Sequence, residues 1–245
     1  MNYHPYLNNT GTAILAHRGG SMESAENTLE AFRYALDLGC AYIETDVQLS
    51  KDGIPYIFHD DDLLRINRSS QKFSDLDSSE IEKIRIFETH PIPSLKECLQ
   101  QFPNAKFNID LKTEAVMKPA LDVIQEMGAE KRICIASFSD TRIEYAREHS
   151  PSLCFSMGPK EIIKLLLKSW GLTFMGGIGD CVQVPMTQYG IKIVTPRFVQ
   201  KVHELGLKIH VWTINDVDLM KHLIAIKVDG IITDQPALLK SLLDQ

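Results

Sequence analysis

Glu44 and Asp46 stand two residues apart in the stretch Ala41 to Asp60, AYIETDVQLSKDGIPYIFHD, which ends on His59 and Asp60. In a strand, residues i and i+2 share a face, so both carboxylates would emerge side by side from the apolar run of Tyr42, Ile43 and Val47. Two neighbouring anions in apolar surroundings need a cation, and hard oxygen ligands suit Mg²⁺ or Ca²⁺. An isolated E-x-D pair is more often a solvated edge strand whose acids face water. Convergence with other residues decides between the two. His17 and Arg18 follow the apolar run TAILA, Asp110 and Lys112 stand two apart in NIDLK, Trp212 lies in HVWTIN, and Asp234 follows GIIT.

Each of these residues has an ordinary role to set against a chemical one. A lone histidine after an apolar run is commonly a hydrogen-bonded structural residue, and Lys112 would snorkel from a helix start. Trp212 would be core, and Asp234 the N-cap of a final helix. Taken together their chemistry is coherent. Glu44, Asp46 and Asp110 can hold one hard divalent cation, while Arg18 and Lys112 can meet an anionic oxygen of the phosphate type. His17 and His59 can give and take protons near neutral pH. A cation, two positive side chains and an acid/base pair are what hydrolysis of a phosphodiester requires.

The elements that must position these groups follow from hydrophobic periodicity. Strand starts are expected near Ala13, Tyr42, Lys106, Arg132, Leu153, Cys181, Lys208 and Asp229, with helical patterns between them, such as Asn27 to Leu38, Leu95 to Phe102 and Val217 to Ile226. Eight βα units in 245 residues predict a (β/α)8 TIM barrel, a single domain over residues 1–245. An open doubly wound sheet is the alternative, but no G-x-G-x-x-G follows the first strand. In a barrel, sites assemble at the carboxyl ends of the strands, where His17, Glu44, Asp46, Asp110 and Trp212 fall. Between Asp60 and Pro93 the pattern weakens, so a small insertion after the second strand, about 61–92, is expected as a lid.

Composition is that of an ordinary globular chain, 44% hydrophobic and 24% charged, with a net charge of -6 that argues against a nucleic-acid partner. No signal-peptide pattern or stretch of about 20 apolar residues occurs, so a cytoplasmic protein without an integral membrane segment is expected. Five scattered cysteines without C-x-x-C spacing read as buried free thiols of a reducing compartment.

The sequence resembles the glycerophosphodiester phosphodiesterases over nearly its whole length. The likeness rests on AHRGG at Ala16 to Gly20, ENT at Glu26 to Thr28, ETDVQLSKDG at Glu44 to Gly53 and His59-Asp60. It continues through IPSLKE at Ile92 to Glu97, NIDLK at Asn108 to Lys112, Ser137-Phe138, VWTIN at Val211 to Asn215, and DGIITDQP at Asp229 to Pro236. The resemblance implies hydrolysis of small glycerophosphodiesters such as glycerophosphocholine or glycerophosphoethanolamine to sn-glycerol 3-phosphate and an alcohol, through a cyclic phosphodiester. It implies His17 and His59 as the acid/base pair, and Glu44, Asp46 and Asp110 as ligands of one Mg²⁺ or Ca²⁺. Arg18, Lys112 and Trp212 become the substrate-binding residues.

Two positions depart from the family pattern. The third acid is commonly Glu, and Asp110 is one methylene shorter. Arg65-Ile66-Asn67 stands where Arg-Thr-Thr often follows the His-Asp pair. Two further readings stay open: a lysophospholipase D type activity on acylated substrates, with an apolar groove from Ile163 to Trp170 plus Leu172, Phe174 and Met175, and a barrel that binds phosphodiesters without turnover.

Overall fold

A computed structural model describes residues 3–172 and 179–245. Eight parallel strands form the barrel: β1 (Ala13–His17), β2 (Tyr42–Leu49), β3 (Lys106–Leu111), β4 (Ile133–Ala136), β5 (Cys154–Phe155), β6 (Cys181–Pro185), β7 (Lys208–Trp212) and β8 (Gly230–Thr233). Each starts within one residue of the position expected from periodicity. Their spatial order is β5-β4-β3-β2-β1-β8-β7-β6. The ring closes between β5 and β6 through one parallel bridge, Ser156 to Cys181, with the Met157 N–H donating to the Cys181 carbonyl at 2.8 Å. This is a sparse seam beside the six-residue register of β2 with β3.

Alternation along the strands explains why they close. Ile43 and Val47 on β2, Phe107 and Ile109 on β3, and Ile133 and Ile135 on β4 pack outward with Ala31, Phe32, Leu95, Leu99 and Ile124 of the surrounding helices. Val182, Val184, Ile209, Val211 and Ile231 do the same on the other half. Each such side chain taken fully from water contributes roughly 1.5–3 kcal/mol. The intervening residues face the interior and are largely polar: Glu44 and Asp46, Asn108 and Asp110, Gln183, and His210.

The helices are α1 (Leu29–Asp37), α2 (Leu95–Gln101), α3 (Met117–Glu126), α4 (Asp140–His149), α5 (Pro159–Ser169), α6 (Pro196–Glu204), α7 (Val217–Ala225) and α8 (Pro236–Leu243). Their starts are written in the loops. Thr28, Ser94, Ser139, Thr195 and Asp216 each accept a backbone N–H of the first turn, satisfying one of the donors that a helix leaves free.

Between β2 and β3 the chain makes a longer excursion. Pro55–Ile57 pairs antiparallel with β2, short helices follow at Leu64–Asn67 and Ser78–Ile81, and Arg85–Ile86 pairs with His90–Pro91. Tyr56, Phe58, Leu63, Phe73, Leu76, Ile81, Ile86 and Ile92 give this segment its own apolar cluster, with Phe58 stacked on Phe73 at 4.6 Å. At the opposite end of the barrel, the turn Pro5–Leu7 lies under the strands with Tyr6 fully buried.

Candidate active site

The HRGG sequence bends the chain sharply after β1. Gly19 and Gly20 have φ of 84° and 99°, and a Cβ at Gly19 would lie 2.7 Å from that of Ala31, so only glycine fits against α1. The turn leaves His17 at the mouth, in register with Glu44. Its Nδ1 donates to Asp234 Oδ1 at 2.5 Å, and its Nε2 lies 3.7 Å from Glu44 Oε2. Burial opposes the charged imidazole, but Glu44 and Asp234 outweigh it and raise its pKa.

Asp234 is not the N-cap of the last helix; that position is Gln235. Its carboxylate instead receives His17, the Ser21 hydroxyl and, at 2.6 Å, the Asn215 amide. Despite burial, these donors hold its carboxyl down at about 2. Asp234 therefore orients His17 and fixes the proton on Nδ1, which leaves Nε2 as the atom facing the site.

The β2 and β3 register sets Asp46 directly opposite Asp110. Lys112 Nζ sits between them, 2.7 Å from Asp46 Oδ1 and 2.8 Å from Asp110 Oδ2. Burial would raise the Asp46 pKa, yet Lys112, His59 and Arg18 bring it below its ordinary value. For Asp110 burial wins and the pKa rises. Glu44, buried and close to both Asp46 and Asp110, is pushed up to about 7. His59 closes the far side, its Nδ1 2.6 Å from Asp60 Oδ1.

Arg18 spans two carboxylates, with Nη1 donating to Glu26 at 3.0 Å and Nε 3.5 Å from Asp46. That Nε has no hydrogen-bond partner among the described residues, which leaves a donor for an incoming anion. Trp212 stands at the rim with its ring edge-to-face on Phe138 at 5.5 Å, and Phe138 is 65% exposed.

The structure thus brings His17, Arg18, Glu44, Asp46, His59, Asp110, Lys112 and Trp212 to one end of the barrel. It adds residues that sequence reasoning assigned no role. Asn27 donates to Asp46 at 3.2 Å and accepts from Thr45. Glu26 receives both terminal nitrogens of Arg65, whose Nε also reaches Asp60 at 2.8 Å. The excursion after β2 is latched to the site by this arginine. Only the motif positions at Glu26-Asn27 and Arg65 signalled these partners beforehand.

The donor set fits a hard divalent cation: three buried carboxylates, with Asp110 Oδ1 lacking any hydrogen-bond partner among the described residues. Among those residues the three are not gathered within 4.8 Å of one another, as expected of acids arranged around a lysine. A divalent ion held by Asp46 and Asp110 would compete with Lys112 for the same oxygens.

The apolar segment from Ile163 to Trp170 divides. Leu165 is buried, and Ile162 and Leu166 pack on the barrel core. Ile163, Trp170 and Leu172 are exposed, but α5 runs away from the mouth, so Trp170 and Leu172 lie toward the opposite end. Phe174 and Met175 lie outside the described residues. No described helix is long and apolar enough to cross a membrane.

Comparison with known proteins agrees with this fold. Residues 17–238 match the model of the glycerophosphoryl diester phosphodiesterase family. The chain is 33% identical to the probable glycerophosphodiester phosphodiesterase 2 of Mycobacterium tuberculosis, over 97% of this chain and 93% of the relative. A human lysophospholipase D is 23% identical, over 94% of this chain and 85% of that protein. Among solved structures, an Oleispira antarctica phosphodiesterase in complex with the product sn-glycerol-3-phosphate superposes with a TM-score of 0.79. It is 22% identical and covers 96% of this chain and 98% of its own, which speaks for the fold.

Proposed function

Because the chain belongs to the glycerophosphoryl diester phosphodiesterase family, a family of hydrolases, we propose that it acts as one catalytic domain that hydrolyses small glycerophosphodiesters to sn-glycerol 3-phosphate and an alcohol. The observation that carries this reading is His17: its Nδ1 is held by Asp234 while its Nε2 faces Glu44, at the mouth where His59 stands. That arrangement supports proton transfer at Nε2. The product bound to the Oleispira protein is the expected product here.

One histidine takes the proton of the glycerol 2-hydroxyl as its oxygen attacks phosphorus, and the other protonates the departing alcohol oxygen. The cyclic phosphodiester is then opened by water, with the two histidines exchanging roles. Arg18 Nε and the Lys112 ammonium meet the phosphoryl oxygens, and Trp212 with Phe138 bounds the apolar side of the pocket. Glu44, Asp46 and Asp110 would hold one Mg²⁺ or Ca²⁺, which when bound supplies positive charge to the phosphoryl oxygens.

Release of sn-glycerol 3-phosphate from glycerophosphocholine by the chelator-stripped protein, with Mg²⁺ and Ca²⁺ restored separately, tests this. Restoration by either ion is expected; a folded protein inactive with both removes the reading. Acylated substrates are favoured by one observation, a rim at which Met22, Leu64 and Phe138 are 64%, 58% and 65% exposed, together with the human relative. Vesicle co-sedimentation decides that point, since a protein that does not pellet with lipid lacks the required surface.

A further inference from the structure

Three consecutive barrel strands each turn a cysteine inward near the amino end. Cys134 of β4 is the register partner of Cys154 of β5, and Cys181 opens β6 across the seam. Their sulfurs all lie within 4.8 Å of one another, with Cys134 and Cys181 at 3.9 Å, and all three residues are fully buried. Thiolates that share one Zn²⁺ at about 2.3 Å stand roughly 3.8–4.0 Å apart, which is the spacing of Cys134 and Cys181.

Cysteines in a core usually pack as small apolar residues. Here Leu7, Leu15 and Ile232 share the cluster, but polar groups line it as well. The Gln183 Nε2 is 4.0 Å from both Cys134 and Cys181 Sγ and 3.4 Å from His210 Nδ1. Tyr6 packs directly against the three cysteines, and its buried hydroxyl has no hydrogen-bond partner among the described residues. The His210 Nε2, in the same interior layer as Gln183, has none either. Unpaired buried polar atoms are rare because each forfeits its solvation. Burial drives the Cys134 and Cys154 thiols up, whereas hydrogen bonds from those two pull Cys181 well below its ordinary value.

We propose that Cys134, Cys154 and Cys181 form a thiolate site for a soft cation of the Zn²⁺ class, distinct from the carboxylate site at the mouth. Binding forms three metal–sulfur bonds and releases the thiol protons to solvent, with no change of oxidation state: M²⁺ plus three RSH gives M(SR)₃⁻ plus three H⁺. Tyr6 and His210 supply the polar lining. The ion's role is mechanical. Its ligands stand on both sides of the β5–β6 seam, which among the described residues backbone pairing closes with one bridge.

The test uses the full reduced chain, stripped with chelator and refolded with Co²⁺ as the spectroscopic probe. One equivalent per chain with thiolate-to-metal absorption in the near ultraviolet is expected, displaced by Zn²⁺, which raises Tm by about 5–10 °C at a hundredfold excess over Kd. The Cys134→Ser/Cys154→Ser/Cys181→Ser variant loses the band. Should that variant not fold, Cys40→Ser/Cys98→Ser retains only these three cysteines and must keep the band at one equivalent. A correctly refolded protein without thiolate absorption, or a band abolished in Cys40→Ser/Cys98→Ser, overturns the site. The readout is independent of phosphodiesterase activity, so an inactive protein that keeps the band would refute only the reading of the mouth.

Discussion

At its carboxyl end the barrel interior gathers charged side chains around an open mouth, while at its amino end the same strands are tied to the turn that lies under them. On β2, Glu44 and Asp46 face the mouth, and two residues below Glu44 the Tyr42 hydroxyl donates to the Tyr6 carbonyl at 2.7 Å. On β3, Asp110 keeps a buried oxygen without a hydrogen-bond partner among the described residues, whereas Lys106 bonds the Tyr6 carbonyl at 2.8 Å and lies over the Tyr42 ring at 4.9 Å. One inward-facing stripe therefore carries both a cluster of charges and a floor tied to the Pro5–Leu7 turn. The difference teaches that register alone, set by period-two alternation, separates chemistry from stability within a single strand.

Substitutions at the two ends should consequently fail in different ways. His17→Ala or His59→Ala is expected to lower kcat by about 10² to 10⁴-fold with little change in Tm. Steady-state rates with thermal melts check this, and near-normal rates in both variants would erase the distinction. Tyr6→Ala at the floor is expected to do the reverse. Removing a fully buried aromatic costs about 3–5 kcal/mol, so Tm falls by roughly 6–20 °C while kcat per folded molecule holds. A rate loss with unchanged Tm would place Tyr6 in the chemistry.

The mouth was largely legible in the sequence because its residues sit in short motifs at strand ends. Glu44-x-Asp46 and Asp110-x-Lys112 each place two candidate groups on one side by strand alternation, and His17-Arg18 ends a strand at a glycine turn. The floor was not legible. Tyr6 precedes the first strand in a stretch without periodicity, and Cys134, Cys154 and Cys181 lie 20 and 27 residues apart, so only closure of the ring brings them together. Asp234 shows an intermediate case. Its place after a strand and before Gln235-Pro236 fits both a cap and a site residue, and the 217-residue separation from His17 hides which one applies.

Asp234→Asn sharpens the contrast at the mouth by leaving the shape while removing the charge that holds His17. A loss of about 10- to 100-fold in kcat is expected, with a smaller effect on KM, because an orienting partner acts through the histidine and not on substrate. The pH profile of kcat should shift to lower pH, since the carboxylate that raises the His17 pKa is gone. An unshifted profile would assign Asp234 to packing alone.

Asp229 makes the smallest and most discriminating test, at the floor. Burial disfavours its carboxylate, but the Ile209 N–H at 3.0 Å, Lys208 at 2.9 Å and His203 at 2.8 Å outweigh that and lower its pKa. A carboxyl depressed in the folded chain stabilises above its unfolded pKa of about 3.9 and loses that contribution as pH falls through the folded value. Asp229→Asn should therefore cost about 1 kcal/mol, or roughly 2–4 °C in Tm, at neutral pH. The gap from the parent protein should close as the pH is lowered below the ordinary carboxylate range. Thermal melts across that range, with kcat followed in parallel, decide the matter. A gap independent of pH would mean that Asp229 contributes shape and not charge, and a loss of kcat would mean that the two ends of the barrel are coupled after all.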